Sequence, residues 1–111
     1  MIIHIQPIPK GRPRTVSKNG RTWTYTPPRT KEFEEKLKWL LKQGNPKPYD
    51  CPLSLTVSFG YKRDADIDNF IKAFCDAANG ILWNDDRQIR EIHACKRKED
   101  SPYIYYDLLS A

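Results

Sequence analysis

The chain has 111 residues, with 19 Lys and Arg against 14 Asp and Glu and a net charge of +5. This length supports one modest hydrophobic core, which excludes a multi-domain protein. No run of about 18 apolar residues and no signal-peptide pattern is present, so we expect a cytoplasmic protein with no membrane partner. The three cysteines are widely spaced and form no Cys-x-x-Cys pair. That spacing disfavours a disulfide framework and a zinc site, and it predicts buried free thiols.

Positive and negative charges fall in different segments of the chain. Residues 1–31, the basic segment, hold seven basic side chains and no acidic one. Residues 64–86, the acidic segment, hold six aspartates and a single lysine, so they carry −5 while the rest of the chain carries +10. The basic segment predicts a surface that attracts a polyanion, and the acidic segment predicts a site that needs a cation.

The first third of the chain predicts a short strand, a basic connection and a helix. Residues 2–5 indicate a strand that ends at Pro7, and residues 9–28, rich in Pro, Gly, Thr and Arg, predict a long basic loop or hairpin. Thr30 is expected to cap a helix that ends at Gly44. The apolar residues of this helix recur at helical spacing: Phe33, Leu37, Leu40 and Leu41.

The remaining two thirds predict three strands and a second helix. Apolar and small polar residues alternate over residues 53–59, which indicates a half-buried strand. Helical spacing over residues 67–79 predicts the second helix, and strand-like runs follow at residues 89–96 and 103–109. These elements predict a single domain over residues 1–111 in the α/β class, of the α+β type, with a mixed sheet packed against two helices.

The aspartates of the acidic segment are spaced so that they can meet. Asp66 lies where the chain enters the second helix, and Asp68 and Lys72 then fall four residues apart on one side of it. Asp85 and Asp86 follow a short link that returns the chain toward this helix. Carboxylates gathered in this way need a hard cation between them, and Mg²⁺ suits oxygen ligands and substrate phosphate. Two such ions would clamp the attacking and leaving oxygens of a phosphodiester.

Simpler interpretations of the same residues stay open. Asp68, Lys72 and Asp76 can form an exposed ladder of ion pairs, Asp66 can be a helix cap, and the aspartate pair can be a turn. A calcium-binding EF-hand loop is excluded, because Asn69 stands where that loop needs Gly and Cys75 stands where it needs Glu.

Three runs in the acidic segment resemble the signature of RusA-type Holliday junction resolvases. They are Asp66-Ile67-Asp68-Asn69-Phe70-Ile71-Lys72, Asp76-Ala77-Ala78-Asn79-Gly80 and Trp83-Asn84-Asp85-Asp86-Arg87-Gln88-Ile89. The likeness extends to residues 7–14, to residues 25–27 and to Lys96. The sequence departs from some family members at Ala65, where they carry a basic residue.

The resemblance implies a homodimeric endodeoxyribonuclease that introduces paired nicks across a four-way DNA junction. Its cofactor would be Mg²⁺, with Mn²⁺ as a substitute. The matching positions imply metal ligands at Asp66, Asp68 and Asp86 and a catalytic cation at Lys72. They also imply supporting residues, which are Asn69, Asp76 and Asp85. A dimer is also expected because two opposed strands must be cut and each small chain supplies one aspartate cluster.

The basic segment supplies candidate DNA contacts. The residues expected to bind phosphate are Lys10, Arg12, Arg14, Lys18 and Arg21. Trp23 and Tyr25 alternate with threonines, and they either stack on unpaired bases at a junction centre or pack across a hairpin. Trp39 is expected to be partly buried on the first helix, and Trp83 is expected to pack beneath the aspartate pair.

Two other functions stay open at this point. The first is a non-catalytic DNA-binding module whose aspartates form surface ion pairs and whose affinity depends on salt. The second is a Mg²⁺-dependent nucleotidyl or phosphoryl transferase, which would need a Gly-rich phosphate loop. The five glycines form no such loop, so no nucleotide cofactor is expected.

Overall fold

The computed structural model describes residues 1–111 as one four-stranded sheet, one separate hairpin and two helices. The elements are β1 (Ile2–Ile3), β2 (Arg14–Lys18), β3 (Arg21–Tyr25), α1 (Pro28–Lys42), β4 (Leu53–Tyr61), α2 (Ile67–Ala78), β5 (Ile89–Lys98) and β6 (Tyr103–Ser110). A turn of 3₁₀ helix over Asp86–Gln88 precedes β5. In the main sheet the order is β1, β6, β4, β5, and β4 runs parallel to β5 and antiparallel to β6. The predicted mixed sheet and two helices are confirmed.

The core lies between the helices and one face of the sheet. The alternating residues of β4 that face the helices are buried: Leu53, Leu55, Val57 and Phe59. Phe59 stacks on Phe70 of α2 with ring centroids 5.3 Å apart, and Phe74 contacts Tyr106 of β6 at 5.6 Å. The alternating apolar residues of β4 and the apolar residues of α2 thus pack in one hydrophobic cluster, which holds α2 at a fixed position on the sheet.

Helix α1 begins two residues before the predicted cap. Pro28 is its first residue, a position where a fixed φ and a missing N–H carry no penalty. Thr30 is buried inside the first turn, and its Oγ1 accepts a hydrogen bond from the backbone N–H of Gly11 at 3.0 Å. The prediction of Thr30 as N-cap is therefore wrong, because its hydroxyl holds the basic segment against the helix start.

We expect Gly11→Ala to destabilise the protein. A Cβ at this position would lie 2.8 Å from Thr30 Oγ1 and 3.0 Å from Cγ of Pro27. Overpacking of this kind costs about 1–3 kcal/mol, which urea denaturation would measure. Gly44→Ala is the matched control, because a Cβ there has no neighbour closer than 3.9 Å. Equal stability of the two variants would contradict the prediction.

The basic connection forms a hairpin. Strands β2 and β3 pair in antiparallel register, and the turn between them is Asn19-Gly20 with φ values of 53° and 75°. Two successive positive φ angles are typical of the type I′ turn, which Asn-Gly favours. Neither strand pairs with the main sheet, so the hairpin is a separate two-stranded unit.

Two predictions about burial are wrong. Trp39 is 61% exposed, because the buried stripe of α1 runs through Phe33, Leu37 and Leu41 and leaves it outside. The cysteines are free, but Cys51 and Cys75 are half-buried and Cys95 is exposed. Cys95 lies beside Ser58 on the sheet face that the helices do not cover. Neither helix is long and apolar enough to cross a membrane.

Candidate active site

The start of α2 presents two free carboxylates. Asp66 occupies the N-cap position, but its side chain makes no capping hydrogen bond. Asp68 lies in the first helical turn, where the helix dipole favours a negative charge. Both residues are exposed. The carboxylate of Asp66 is therefore available for a ligand and is not used as a structural cap.

The ladder of ion pairs that stayed open as a simpler interpretation of α2 is absent. Lys72 is exposed and forms no salt bridge, and neither does Asp68. Asp76 pairs instead with Lys10, at 3.1 Å between Oδ2 and Nζ. Asp76 therefore forms no ion pair with Lys72 that could orient it. The ammonium of Lys72 has no carboxylate partner and can bind a negatively charged substrate.

A buried tryptophan orients the carboxylate of Asp86. Trp83 is fully buried, as predicted, and its Nε1–H donates to Asp86 Oδ1 at 2.7 Å. Burial raises the pKa of the Cys75 thiol to about 12, and the charges of Asp86 and Asp76 add to this shift. Cys75 belongs to α2, so the charge of Asp86 acts on a group of this helix.

Asp85 has a structural role. Its side chain accepts from the backbone N–H of Arg87 at 2.8 Å and from the guanidinium Nε at 3.1 Å. These hydrogen bonds hold the pKa of Asp85 below its usual range. Asp85 is thus the cap of the 3₁₀ turn, as the simpler interpretation of the aspartate pair predicts. The next residue, Asp86, forms no salt bridge with a basic side chain.

Gln88 holds the loop that carries Asp85 and Asp86 in place, a role that the sequence did not indicate. Its Oε1 accepts from the backbone N–H groups of Asn84 and Asp85, each at 2.9 Å. Its Nε2 donates to the carbonyl oxygens of Tyr49 at 2.8 Å and Cys51 at 3.0 Å. One side-chain amide therefore ties this loop to the segment before β4.

Lys96 holds the loop that leads into α2. Its Nζ lies 2.7 Å from Oδ1 of Asp64 and 2.8 Å from the carbonyl oxygen of Ala65, and 5.6 Å from the ring centroid of Tyr61. The hydrogen bond with Asp64 raises the pKa of Lys96, and the same bond lowers the pKa of Asp64. The cation next to the first ligand candidate is thus supplied by β5, whereas the position before Asp66 is the neutral Ala65.

Lys10 joins the basic segment to the acidic one. Its Nζ pairs with Glu34 of α1 and Asp76 of α2, and its side chain is only 18% exposed. Its backbone N–H donates to the carbonyl oxygen of Asn69 at 2.9 Å, while the Asn69 side chain makes no hydrogen bond within the chain. We therefore assign Lys10 to the attachment of the segment and leave phosphate contact to the other cations.

Lys10→Met should destabilise the protein by about 1–3 kcal/mol, because two partly buried carboxylates lose their charged donor. Burial alone lowers the pKa of Lys10, but the hydrogen bonds with Glu34 and Asp76 outweigh it and raise that pKa above 10.5. This stabilisation is fully present below pH 10.5 and is lost as the pH rises through the higher folded value. The free-energy difference from wild type, measured by urea denaturation, should therefore shrink above that pH. Lys31→Met is the control; an equal loss there would refute the assignment.

The carboxylates divide into two groups. Three are ion-paired: Asp64, Asp76 and Asp85. Three have no cationic partner: Asp66, Asp68 and Asp86. No group of three or more His, Cys, Asp or Glu side chains lies close enough together to hold a metal ion by itself. The unpaired set still suits Mg²⁺ chemically, because this ion binds through one or two carboxylates and takes its other ligands from water and phosphate.

The cations of the basic segment line two depressions. Arg12, Arg14 and Arg29 line the one at the base of the hairpin, and Lys18 and Arg21 line the one at its tip. Arg29 belongs to the first turn of α1 and was not among the predicted DNA contacts. The strongly positive charge of residues 1–31 was the available signal for it, and its position beside Arg12 makes it part of the same cationic surface.

Carboxylates without cationic partners and a lysine without an ion pair suit metal-assisted phosphodiester chemistry, and a cationic hairpin suits contact with phosphates. The family model described as "Endodeoxyribonuclease RusA" matches residues 4–107. The chain therefore belongs to the RusA family of endodeoxyribonucleases, and it is a hydrolase.

Two curated relatives are similar to the chain over most of its length. "Crossover junction endodeoxyribonuclease RusA" of Aquifex aeolicus (strain VF5) is 30% identical over 98 residues, which cover 84% of this chain and 75% of the relative. "Uncharacterized protein YqaN" of Bacillus subtilis (strain 168) is 25% identical over an alignment of 126 residues, covering 92% of this chain and 89% of the relative.

Proposed function

We propose that this endodeoxyribonuclease resolves four-way DNA junctions by paired symmetric nicks, with Mg²⁺ as its cofactor, in recombination and repair. The observation that carries the proposal is that three carboxylates of the acidic segment have no cationic partner, namely Asp66, Asp68 and Asp86, while Lys72 on the same helix as Asp68 forms no salt bridge either. The name of the Aquifex relative, a crossover junction endodeoxyribonuclease, supports the choice of substrate.

The site residues have distinct tasks in this reaction. Asp66, Asp68 and Asp86 are the candidate ligands of Mg²⁺, which would bind through one or two of them and through water and phosphate oxygens. The bound ion would activate water and neutralise charge on the phosphodiester. Trp83 keeps one oxygen of Asp86 engaged and so limits the orientations of that carboxylate. Lys72 would stabilise the negative charge that develops on the phosphate, or it would orient the attacking water. Its lack of an ion pair leaves the full charge available for that purpose.

The basic segment positions the DNA. Arg12, Arg14, Lys18, Arg21 and Arg29 would contact phosphates, and such contacts make affinity fall with salt concentration. The attachment of this segment to α2 through Lys10 fixes its base relative to the active site. DNA held by the arginines at the base of the hairpin is therefore held at a set distance from the carboxylates.

Two copies of the chain are needed for paired nicks. One chain presents one set of unpaired carboxylates, and the two strands of a junction that are cut lie on opposite sides of a pseudo-symmetric centre. We therefore propose a homodimer. Sedimentation at working concentration should show a species of twice the 13.0 kDa chain mass.

The test is cleavage of a synthetic four-way junction and of a linear duplex with the same arm sequences. We expect symmetric nicks in the junction when Mg²⁺ or Mn²⁺ is added, none in EDTA, and little cutting of the duplex. A protein that binds the junction but cuts neither DNA with either ion would refute the proposal and favour a non-catalytic DNA-binding module. Equal cutting of both DNAs would keep the nuclease and reject the junction as its substrate.

A further inference from the structure

The two faces of the β2–β3 hairpin differ in chemistry. Residues that pair directly across an antiparallel hairpin share one face. The register pairs Arg14 with Tyr25, Val16 with Trp23, and Lys18 with Arg21 on one face. The opposite face carries only hydroxyl side chains: Thr15, Ser17, Thr22 and Thr24. All basic and aromatic side chains of the two strands therefore lie on one face, which we call the cationic-aromatic face.

The large rings of this face have no core to cover them. Trp23 is 46% exposed and Tyr25 is 39% exposed, and every residue of β3 is exposed. Trp23 lines the depression at the hairpin tip together with Lys18 and Arg21. An indole exposed beside two cations is poorly suited to packing within its own chain, and it matches a partner that is both flat and anionic.

DNA supplies both of those features. Its phosphates complement the seven cations of residues 1–31, which no acidic side chain in that segment offsets. Aromatic side chains stack on base faces, but in continuous duplex the neighbouring base pairs already cover those faces. Only a base at a branch point or in a single strand offers a free face to the indole.

We infer that Trp23 stacks on a base exposed at the branch point of the DNA, while Lys18 and Arg21 contact the flanking phosphates. The hairpin would thereby distinguish branched DNA from duplex by shape and not by sequence, since every base has an aromatic face. This inference rests on the proposed function in one respect, which is that the substrate is branched.

The experiment compares binding of a four-way junction and a linear duplex in EDTA, where no cleavage interferes. Trp23→Thr removes the ring and keeps a residue that favours strands, Trp23→Tyr keeps a ring, and Thr24→Val is the control on the hydroxyl face. We expect Trp23→Thr to lower junction affinity roughly 5- to 150-fold, in line with the loss of one stacked base. Duplex affinity should change by less than about 2-fold. Trp23→Tyr should retain most of the junction affinity.

Fluorescence gives a second measurement. In a Trp39→Phe variant, Trp23 is the one exposed indole, because Trp83 is fully buried. Its emission should be quenched by the junction and not by the duplex. Wild-type affinity of Trp23→Thr for the junction, or an equal loss on the duplex, would overturn the inference. A change in oligomeric state of Trp23→Thr would overturn it as well, since this face would then bind a second copy.

These outcomes separate the inference from the proposed function. If the wild type prefers the junction and Trp23→Thr keeps that preference, the inference alone is wrong. If the wild type binds junction and duplex equally, the proposed substrate is wrong, and the selectivity assigned to Trp23 is wrong with it.

Discussion

Asp68→Asn should bind a four-way junction as tightly as the wild type and cut it at least about 100-fold more slowly, the scale expected when one group that acts on the transition state is removed. The substitution removes the negative charge that a divalent cation needs and keeps the shape of the side chain. Asp68 is exposed and has no ion-pair partner, so only its interaction with the helix dipole is lost and stability should change by no more than about 1 kcal/mol. Loss of a negative charge cannot weaken attraction to phosphate, so binding persists.

The measurement is single-turnover cleavage with Mg²⁺, together with binding in EDTA. Asp100→Asn is a matched control, because this aspartate is also exposed and makes no hydrogen bond or salt bridge through its side chain. It should cut at the wild-type rate. Asp68→Asn cleaving as fast as Asp100→Asn would remove Asp68 from the site.

Local patterns in the sequence predicted most of the fold. The alternation in β4 and the helical spacing of α2 are both strong, and both elements occupy the predicted stretches. The Asn19-Gly20 turn was a further local signal, which would have favoured the hairpin over a loop. The start of α1 was missed because the hydroxyl of Thr30 has a partner nineteen residues away, and helix-capping rules consider only neighbouring residues.

The sequence could indicate which aspartates belong to the candidate site, but it could not indicate which of them form ion pairs. Asp85 and Asp86 are adjacent, yet Asp85 pairs with Arg87 and Asp86 accepts a bond from a buried tryptophan. Asp76 has the correct spacing to pair with Lys72 and pairs with Lys10 instead. Arg87 is a local partner, but the cation that pairs with Asp76 is distant in the sequence, and its position follows from tertiary structure.

Two cations, Lys10 and Lys96, form structural ion pairs with carboxylates that are distant in the sequence. Lys10 uses its charge to attach the basic segment, and Lys96 uses its charge to hold the loop before Asp66. Neither ammonium forms a salt bridge with the three unpaired carboxylates. These three carboxylates thus keep their negative charge although the chain as a whole is basic, and under the proposed function this charge would attract the divalent cation.

Gln88→Ala should destabilise the protein by about 2–4 kcal/mol and slow cleavage, because two N–H groups and two carbonyl oxygens lose their partner at once. The loss of these bonds frees the loop that carries Asp86, so the rate of cleavage should fall while affinity for the junction in EDTA is unchanged. Gln88→Glu should be no more stable than the alanine variant. It keeps an acceptor for Asn84 and Asp85, but it places a carboxylate oxygen against the carbonyls of Tyr49 and Cys51.

Gln43→Ala is the control for Gln88, because its amide makes one long hydrogen bond of 3.4 Å to the carbonyl oxygen of Trp39 at the exposed end of α1. Its stability should stay within about 0.5 kcal/mol of wild type. Urea denaturation and single-turnover cleavage measure both consequences on the same samples. If Gln88→Ala matched this control in stability and in rate, the loop would not depend on the amide, and the carboxylate of Asp86 would be held by Trp83 alone.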